Sequence, residues 1–311
     1  MTASKDAPEN DRHALYPTGL KDAPTRHRAL RRRMAAPGIV VAPGAYDCIT
    51  ARLVEVAGFG ALYITGSGVS MSALGAPDMG ALSFGEILDR VRRICDSVAI
   101  PVIADADTGY GGPLNVIRTM REFERAGVSA VQLEDQEWPK KCGHEPGRKL
   151  ASSQEMEQRI KAAADARVDA DVMIVARTDA IASEGFEAAL ERAARYREAG
   201  ADILFVEAPQ SEADLAQVPK RLGVPCLANM VEGGRTPVLP FPRLEQLGFK
   251  LAIYPNSLTR LFARVGQDLL GSLKSTGNTA AMANQMLDHG QLWSLFENER
   301  WQALEKRFSS S

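Results

Sequence analysis

Acidic side chains recur in this sequence at one kind of place, directly after short apolar runs. One run ends in Asp105-Ala106-Asp107, the next in Glu134-Asp135, another in Arg177-Thr178-Asp179, and later ones in Glu207 and Asn229. An earlier run closes with Tyr63-Ile64-Thr65-Gly66-Ser67-Gly68. A single polar residue after a strand is an ordinary helix cap or loop solvation. So many carboxylates at successive strand ends point instead to one functional rim. Asp105 and Asp107 are two apart, so on an extended chain they project to the same side. With Glu134 they offer hard oxygen ligands suited to Mg²⁺, with Mn²⁺ as the alternative ion, and no Cys/His cluster suggests zinc. Magnesium keeps several waters, so some of these carboxylates are expected to act through water. The plainer reading of Asp105 is a rim salt bridge, with Arg177 as its partner; the crowding of acids favours the metal.

A second concentration of chemistry is Trp138-Pro139-Lys140-Lys141-Cys142-Gly143-His144-Glu145-Pro146-Gly147-Arg148-Lys149. Its glycines, prolines and charges are those of a mobile surface loop. Yet it carries a cysteine, and two lysines and a histidine beside Cys142 favour the reactive thiolate. Cys48, Cys95 and Cys226 sit in apolar surroundings and read as core fillers.

The elements that must position these groups alternate along the chain. Apolar runs at 39–42, 61–64, 102–104, 130–133, 172–176, 203–206, 226–228 and 251–254 form eight candidate strands, continuous enough for parallel strands buried on both faces. Amphipathic stretches lie between them, at 83–97, 115–126 and 184–199 among others. Eight such units predict a single (β/α)₈ TIM barrel over 26–311, following a polar, loose arm over 1–25. A doubly wound open sheet is the alternative, weakened because no Gly-x-Gly-x-x-Gly turn follows the first strand. Beyond residue 254 the pattern predicts helices at 257–274, 279–288 and 291–306. Their surplus apolar residues, among them Met286, Leu292, Phe296 and Trp301, need a covering surface, which suggests an oligomer.

Bulk properties exclude several classes. Lys plus Arg number 37 against 39 Asp plus Glu, so no single-sign field favours nucleic acid or an anionic membrane. The run Arg31-Arg32-Arg33 reads as a solvated helix face. No apolar run reaches membrane-spanning length, and four scattered cysteines form no disulfide framework, so a reducing cytoplasm is expected.

Lys140-Lys141-Cys142-Gly143-His144 resembles the signature of the isocitrate lyase and phosphoenolpyruvate mutase superfamily. Asp105-Ala-Asp-Thr-Gly-Tyr-Gly, Gln132-Leu-Glu-Asp-Gln, Ala176-Arg-Thr-Asp-Ala and Leu227-Ala-Asn occur in the same order and spacing as in that family, over about 26–306. The resemblance implies a (β/α)₈ barrel, a helix exchanged between subunits, and a homotetramer. It implies that Asp105, Asp107 and Glu134 form the magnesium site, that Thr65, Gly66 and Ser67 hold a keto-acid carboxylate, and that Arg177 and Tyr63 lie near the breaking bond. Lys140, Gly143, His144, Glu207, Asn229 and Arg260 match other pocket positions, and Asp78 matches a mobile acid. The implied reaction is cleavage of a small 2-hydroxy di- or tricarboxylate into a keto acid and a carboxylic acid, with Cys142 delivering a proton to carbon.

Within the superfamily the loop cysteine favours the short lyases, similar to 2-methylisocitrate or 2,3-dimethylmalate lyase. Carboxyphosphonoenolpyruvate or phosphoenolpyruvate mutase and oxaloacetate hydrolase activities are the alternatives, with a non-catalytic acid-binding barrel behind them. Phe205, Ile253 and Pro255 give an apolar wall similar to that of 2-methylisocitrate lyase, with room for a methyl group. Val231 and His289 stand where a methylisocitrate enzyme has a threonine and an arginine, which tilts the reading toward the dimethylmalate type. Asn256 belongs to the same set of specificity positions.

Overall fold

Eight parallel strands hydrogen-bond in sequence order, and the last pairs back to the first, closing a barrel. The computed structural model describes residues 22–141, 143 and 147–309. In chain order the elements are α1 (Ala23–Ala35), β1 (Val40–Ala45), α2 (Cys48–Val56), β2 (Leu62–Ile64), α3 (Gly66–Leu74), α4 (Phe84–Ser97), β3 (Val102–Asp105), α5 (Pro113–Arg125), β4 (Ala130–Glu134), α6 (Ser153–Ala166) and β5 (Met173–Thr178). They continue with α7 (Ile181–Glu184), α8 (Phe186–Glu198), β6 (Ile203–Val206), α9 (Glu212–Leu222), β7 (Cys226–Asn229), α10 (Phe241–Gln246), β8 (Leu251–Tyr254), α11 (Ser257–Thr276), a 3₁₀ helix (Ala280–Gln285), α12 (His289–Leu295) and α13 (Asn298–Phe308). All eight expected strands are present, and the open-sheet alternative falls away because β1 pairs with β8.

Strand side chains alternate between two cores, as the two-residue period of an extended chain requires. One set fills the barrel interior: Tyr63, Ile103, Ala130, Met173, Val175, Ile203, Phe205, Leu227, Leu251 and Ile253. Leu30 and Met34 of α1 join that cluster, so the first helix plugs the barrel's N-terminal end. The other set, including Leu62, Ile64, Val102, Ala104, Ile174, Leu204 and Ala252, packs outward against Ile87, Val91, Met120, Phe123 and Ile160 of the helices.

Several boundaries differ from the sequence expectation, each for a local reason. The arm expected to reach residue 25 gives way to α1 at Ala23, because Asp22 caps the helix by accepting from Thr25 N and Pro24 suits its first turn. The arm's first 21 residues lie outside the described ones. The stretch 184–199 is interrupted at Gly185, whose φ of 89° ends α7 and starts α8. The segment expected as one helix over 291–306 is two, separated at Glu297 with φ 55°. The 279–288 stretch contributes only the short 3₁₀ turn. Helix α3, directly after β2, was not anticipated; Thr65 caps it and Gly75 ends it in the left-handed conformation. Cys95 and Cys226 are buried, and burial pushes each thiol up to about 12. Cys48 is only half-buried, which corrects its reading as core.

Between β4 and β5 the outer layer is polar. Asp135 is fully buried and accepts from Tyr196 Oη at 2.7 Å, Thr178 Oγ1 at 2.7 Å and Asp179 N at 2.9 Å, with Arg192 Nη1 at 3.4 Å. Tyr196 is itself fully buried, so Tyr196→Phe takes one donor from a buried carboxylate and leaves the ring in place. Such a loss costs about 1–3 kcal/mol. Urea denaturation followed by circular dichroism should show the transition midpoint lowered with an unchanged slope; an unchanged midpoint would mean that this hydroxyl does not stabilise the fold.

Candidate active site

The inward-facing series that is apolar through the barrel turns polar at its C-terminal mouth. Tyr63 is followed two residues on by Thr65, Ile103 by Asp105, Gln132 by Glu134, Val175 by Arg177, Phe205 by Glu207 and Leu227 by Asn229. These groups border a cavity lined by Tyr63, Thr65, Ser67, Asp78, Asp105, Glu134, Lys140, Lys141, Gly143, Arg177, Glu207, Asn229, Val231, Ile253, Pro255 and Asn256.

Arg177 stands at its centre. Its Nε and Nη2 donate to the two oxygens of Asp179 at 3.0 and 2.9 Å. Nε lies 3.5 Å from Glu134 Oε2, Nη2 lies 3.3 Å from Glu207 Oε2, and the guanidinium rests 5.1 Å over the Phe205 ring. Burial opposes its charge, but Asp179, Glu134 and Glu207 outweigh that and hold its pKa well above the ordinary arginine value. Asp179 in turn is drawn below the usual carboxylate range, burial notwithstanding, by Arg177.

Lys140 is equally committed. Its ammonium lies 2.7 Å from Asp78 Oδ1 and 2.5 Å from Asp107 Oδ1, pinning the loop after α3 to the end of β3. Burial disfavours that charge too, yet Asp107, Asp78 and Glu134 raise the pKa.

Asp105 and Asp107 do meet, but not across an extended strand. Asp107 has φ 50°, and the chain turns after β3, with Asp107 N donating to Asp105 Oδ1 at 3.1 Å. Glu134 N donates to the Asp107 carbonyl at 2.9 Å, so the ends of β3 and β4 are locked together. Asp105 pairs with Gln132 Nε2 at 3.3 Å, while the rim salt bridges of Arg177 go to other acids.

At the opposite wall, Thr65 caps α3 and its Oγ1 donates to Asn256 Oδ1 at 3.4 Å. The first turn of α3, Gly66 and Ser67, therefore presents a helix N-terminus beside these carboxylates. A Cβ on Gly66 would come 3.0 Å from Asp105 Oδ2, so the backbone approaches as closely as only glycine allows. Gly143 is similarly constrained, because a Cβ there would overlap Arg177 Nη2.

Asn229 Nδ2 donates to Glu207 Oε2 at 3.0 Å. Tyr63 is buried, and burial followed by Asp105 keeps its hydroxyl well above the ordinary tyrosine value. Arg260 is not brought into the cavity: it is exposed on α11. His289 is also absent from the lining, stacking with Trp293 on α12 at 5.2 Å. Cys142 and His144 lie outside the described residues. Asp179 was named among the strand-end acids and Lys141 beside Cys142, but Gln136 was given no role from sequence; the two-residue alternation past β4 carries that signal for it.

The donor set is suited to a hard cation. Burial pushes Asp107 up to about 7, partly offset by Lys140, and raises Glu134 well above its usual range against the pull of Arg177. Glu134 Oε1 is buried without a hydrogen-bond partner, an acceptor that bound water or a cation's hydration shell could satisfy. Among the described residues no three His, Cys, Asp or Glu side chains are arranged to grip an ion directly.

Comparison with known proteins places the chain in a family. Residues 30–273 match the family described as phosphoenolpyruvate phosphomutase. The chain is 44% identical over 281 residues to 2,3-dimethylmalate lyase of Eubacterium barkeri, covering 90% of this chain and 97% of that one. It is 40% identical over 281 residues to 2-methylisocitrate lyase of Bacillus subtilis (strain 168), covering 90% and 92%. Among solved structures, 2,3-dimethylmalate lyase superimposes with a TM-score of 0.86 at 35% identity, covering 93% of this chain and 96% of that one. Oxaloacetate acetylhydrolase with 3,3-difluorooxalacetate does so at 0.87 and 31%, covering 93% and 99%. Phosphonopyruvate hydrolase with oxalate and Mg²⁺ does so at 0.81 and 29%, covering 91% and 99%. The chain belongs to the phosphoenolpyruvate phosphomutase family, within the PEP mutase/isocitrate lyase superfamily. It is an enzyme of that superfamily, and its relatives include lyases and hydrolases.

Proposed function

We propose that this chain is a magnesium-dependent carbon–carbon lyase that splits a 2-hydroxy dicarboxylate of the 2,3-dimethylmalate type into pyruvate and a carboxylic acid. The observation that carries the reading is the cavity itself: an arginine fixed by three carboxylates faces Asp105 and Glu134, under an apolar wall of Val231, Ile253 and Pro255. The apolar wall suits methyl substituents, and 44% identity to a 2,3-dimethylmalate lyase supports the same choice. Val231 stands in the wall where a methylisocitrate enzyme has a threonine, which removes a hydrogen-bonding partner and disfavours 2-methylisocitrate.

Asp105, Asp107 and Glu134 would hold Mg²⁺, with Mn²⁺ as the alternative. When bound, the ion supplies Lewis-acid stabilisation of the carbonyl oxygen that forms at C2. Helix α3 offers unpaired backbone N–H groups and its dipole to the adjacent substrate carboxylate. As a carboxylate of the rim takes the hydroxyl proton, that carbonyl forms, the C2–C3 bond breaks, and its electron pair moves toward the second carboxylate. Arg177 offers its guanidinium to the charge that develops there, and Tyr63, buried and neutral, offers a hydroxyl donor at the same end. Cys142 then gives its proton to C3, which completes the carboxylic acid. Asp78, Lys140, Gly143, Glu207 and Asn229 keep the pocket's charge in place, and His144 completes the loop signature. The enzyme works on a small carboxylate in a reducing cytoplasm.

Incubation with 2,3-dimethylmalate or with 2-methylisocitrate, with pyruvate read through lactate dehydrogenase, tests the reaction. Pyruvate is expected from the first at higher kcat/KM, lost with EDTA and restored by Mg²⁺; no pyruvate from either acid would point to mutase or hydrolase substrates.

Cys142→Ser should lower kcat by roughly 10²–10⁴-fold with substrate binding preserved, as loss of a general acid does. Undiminished turnover would remove Cys142 from the mechanism.

The apolar faces of α11 to α13 remain uncovered, with Phe262, Leu270, Trp293 and Trp301 about half-exposed or more. A second copy covering them, in a helix-exchanged homotetramer, is the arrangement we propose. Light scattering on the eluted protein should give a mass near four chains, and a monomer at micromolar concentration would refute the assembly.

A further inference from the structure

Gln136 lies two residues beyond Glu134, at the point where the chain leaves the barrel for the Lys-Lys-Cys-Gly-His segment. It is 1% exposed, and its carboxamide makes three hydrogen bonds. Nε2 donates to the Lys141 carbonyl at 2.9 Å and to Asp179 Oδ2 at 3.3 Å, while Oε1 accepts from Lys141 N at 2.9 Å. The amide orientation follows from these partners, since a flipped group would set its oxygen against the Lys141 carbonyl and the Asp179 carboxylate. Asp179 Oδ2 is also the oxygen that accepts from Arg177 Nε.

The backbone of Gln136 is fixed from behind. Buried Arg159 of α6 donates through Nη1 to the Gln136 carbonyl at 3.1 Å and to the Glu134 carbonyl at 3.4 Å. Gln136 also bridges antiparallel to Leu150, and Glu137 N donates to the Lys149 carbonyl at 2.8 Å. The stem is therefore rigid, and the carboxamide is held on it as a two-point clamp on one residue, gripping the peptide groups on both sides of the Lys141 Cα.

We infer that Gln136 is a positioning residue that ties Lys141, the residue preceding Cys142 in the sequence, to the Asp179 carboxylate that orients Arg177. Its consequence for turnover rests on the proposed reading of Arg177 and Cys142; the tether to Lys141 does not. The carboxamide both accepts from Lys141 N–H and donates to its carbonyl. A glutamate carboxylate offers acceptors alone and would face the Lys141 carbonyl and Asp179 with no proton between. Leucine offers neither. The group touches no reacting atom, so its loss should act on the chemical step and leave ground-state binding nearly intact.

Amide hydrogen exchange at Lys141 in the full-length protein, together with steady-state kinetics on 2,3-dimethylmalate with Mg²⁺, tests this for Q136E and Q136L. The expected result is Lys141 exchange faster by roughly tenfold or more in both variants. In both, kcat should fall by a similar factor, with KM within about threefold of the wild-type value. Unchanged exchange overturns the inference, as does faster exchange with unchanged kcat, or a loss confined to KM. If Q136L does not fold, Q136E, which replaces one NH₂ by oxygen, decides. If the wild-type chain cleaves neither hydroxy acid, the proposed function fails separately. The tether is then judged on Lys141 exchange in Q136E, where protection equal to wild type refutes it.

Discussion

The charge of Arg177, buried at the barrel mouth, is the constraint around which the rest of the site is arranged. A guanidinium taken out of water is tolerable only if fully paired, and removing a single partner from a buried pair costs about 3–5 kcal/mol. Here the partners come from three separate strand ends: Glu134 after β4, Asp179 after β5 and Glu207 after β6. Each requires its strand to be in register, and the register is recorded in the pairs Glu134–Arg177 and Arg177–Phe205. Pairing β4, β5 and β6 in register and assembling the Arg177 cluster are therefore one event. A slip of one residue would turn the Arg177 partners outward into the helix layer.

The same alternation explains how one strand serves stability and chemistry together. In β5, Met173 and Val175 fill the barrel and Arg177 emerges at its rim, while Ile174 and Ala176 pack outward against helices. The inward series of β2 to β7 end in polar groups at the rim, while that of β8 runs on through Ile253 to Pro255 and keeps one wall apolar. Apolar packing beneath leaves the polar groups little freedom to relax, which keeps Arg177, Lys140 and their acids preorganised.

This much was legible in the sequence, because eight apolar runs with polar ends carry both the period and the change of type. What escaped depended on geometry that no spacing records. Asp105 and Asp107 looked like neighbours on an extended face, whereas a left-handed residue at 107 brings them together by a turn. Gly185 and Glu297 broke helices that hydrophobic periodicity alone would have run through. Arg260 was carried over from a motif, but its place on an exposed face of α11 is a matter of how that helix is rotated, which a sequence match does not specify. Gln136 stood in plain view within Gln132-Leu-Glu-Asp-Gln. Its importance arises only from where Lys141 and Asp179 come to lie in space.

The balance of charge in the cavity bears on the reaction more than the likeness of names does. Asp78, Asp105, Glu134 and Glu207 line it against Lys140, Lys141 and Arg177, and Asp107 stands directly behind them in contact with Lys140. Lys140 and Arg177 are already bound to carboxylates of the protein, so among the described residues the pocket is poor in uncommitted positive charge. A dicarboxylate entering it would meet net repulsion unless a divalent cation came with it. On the proposed reading, the acid-rich rim would make substrate affinity conditional on metal. Arg177, held by Glu134, Asp179 and Glu207, would then turn to the substrate only as charge appears on the breaking bond. An interaction strongest at that moment accelerates the reaction, whereas one spent equally on the ground state would only tighten binding.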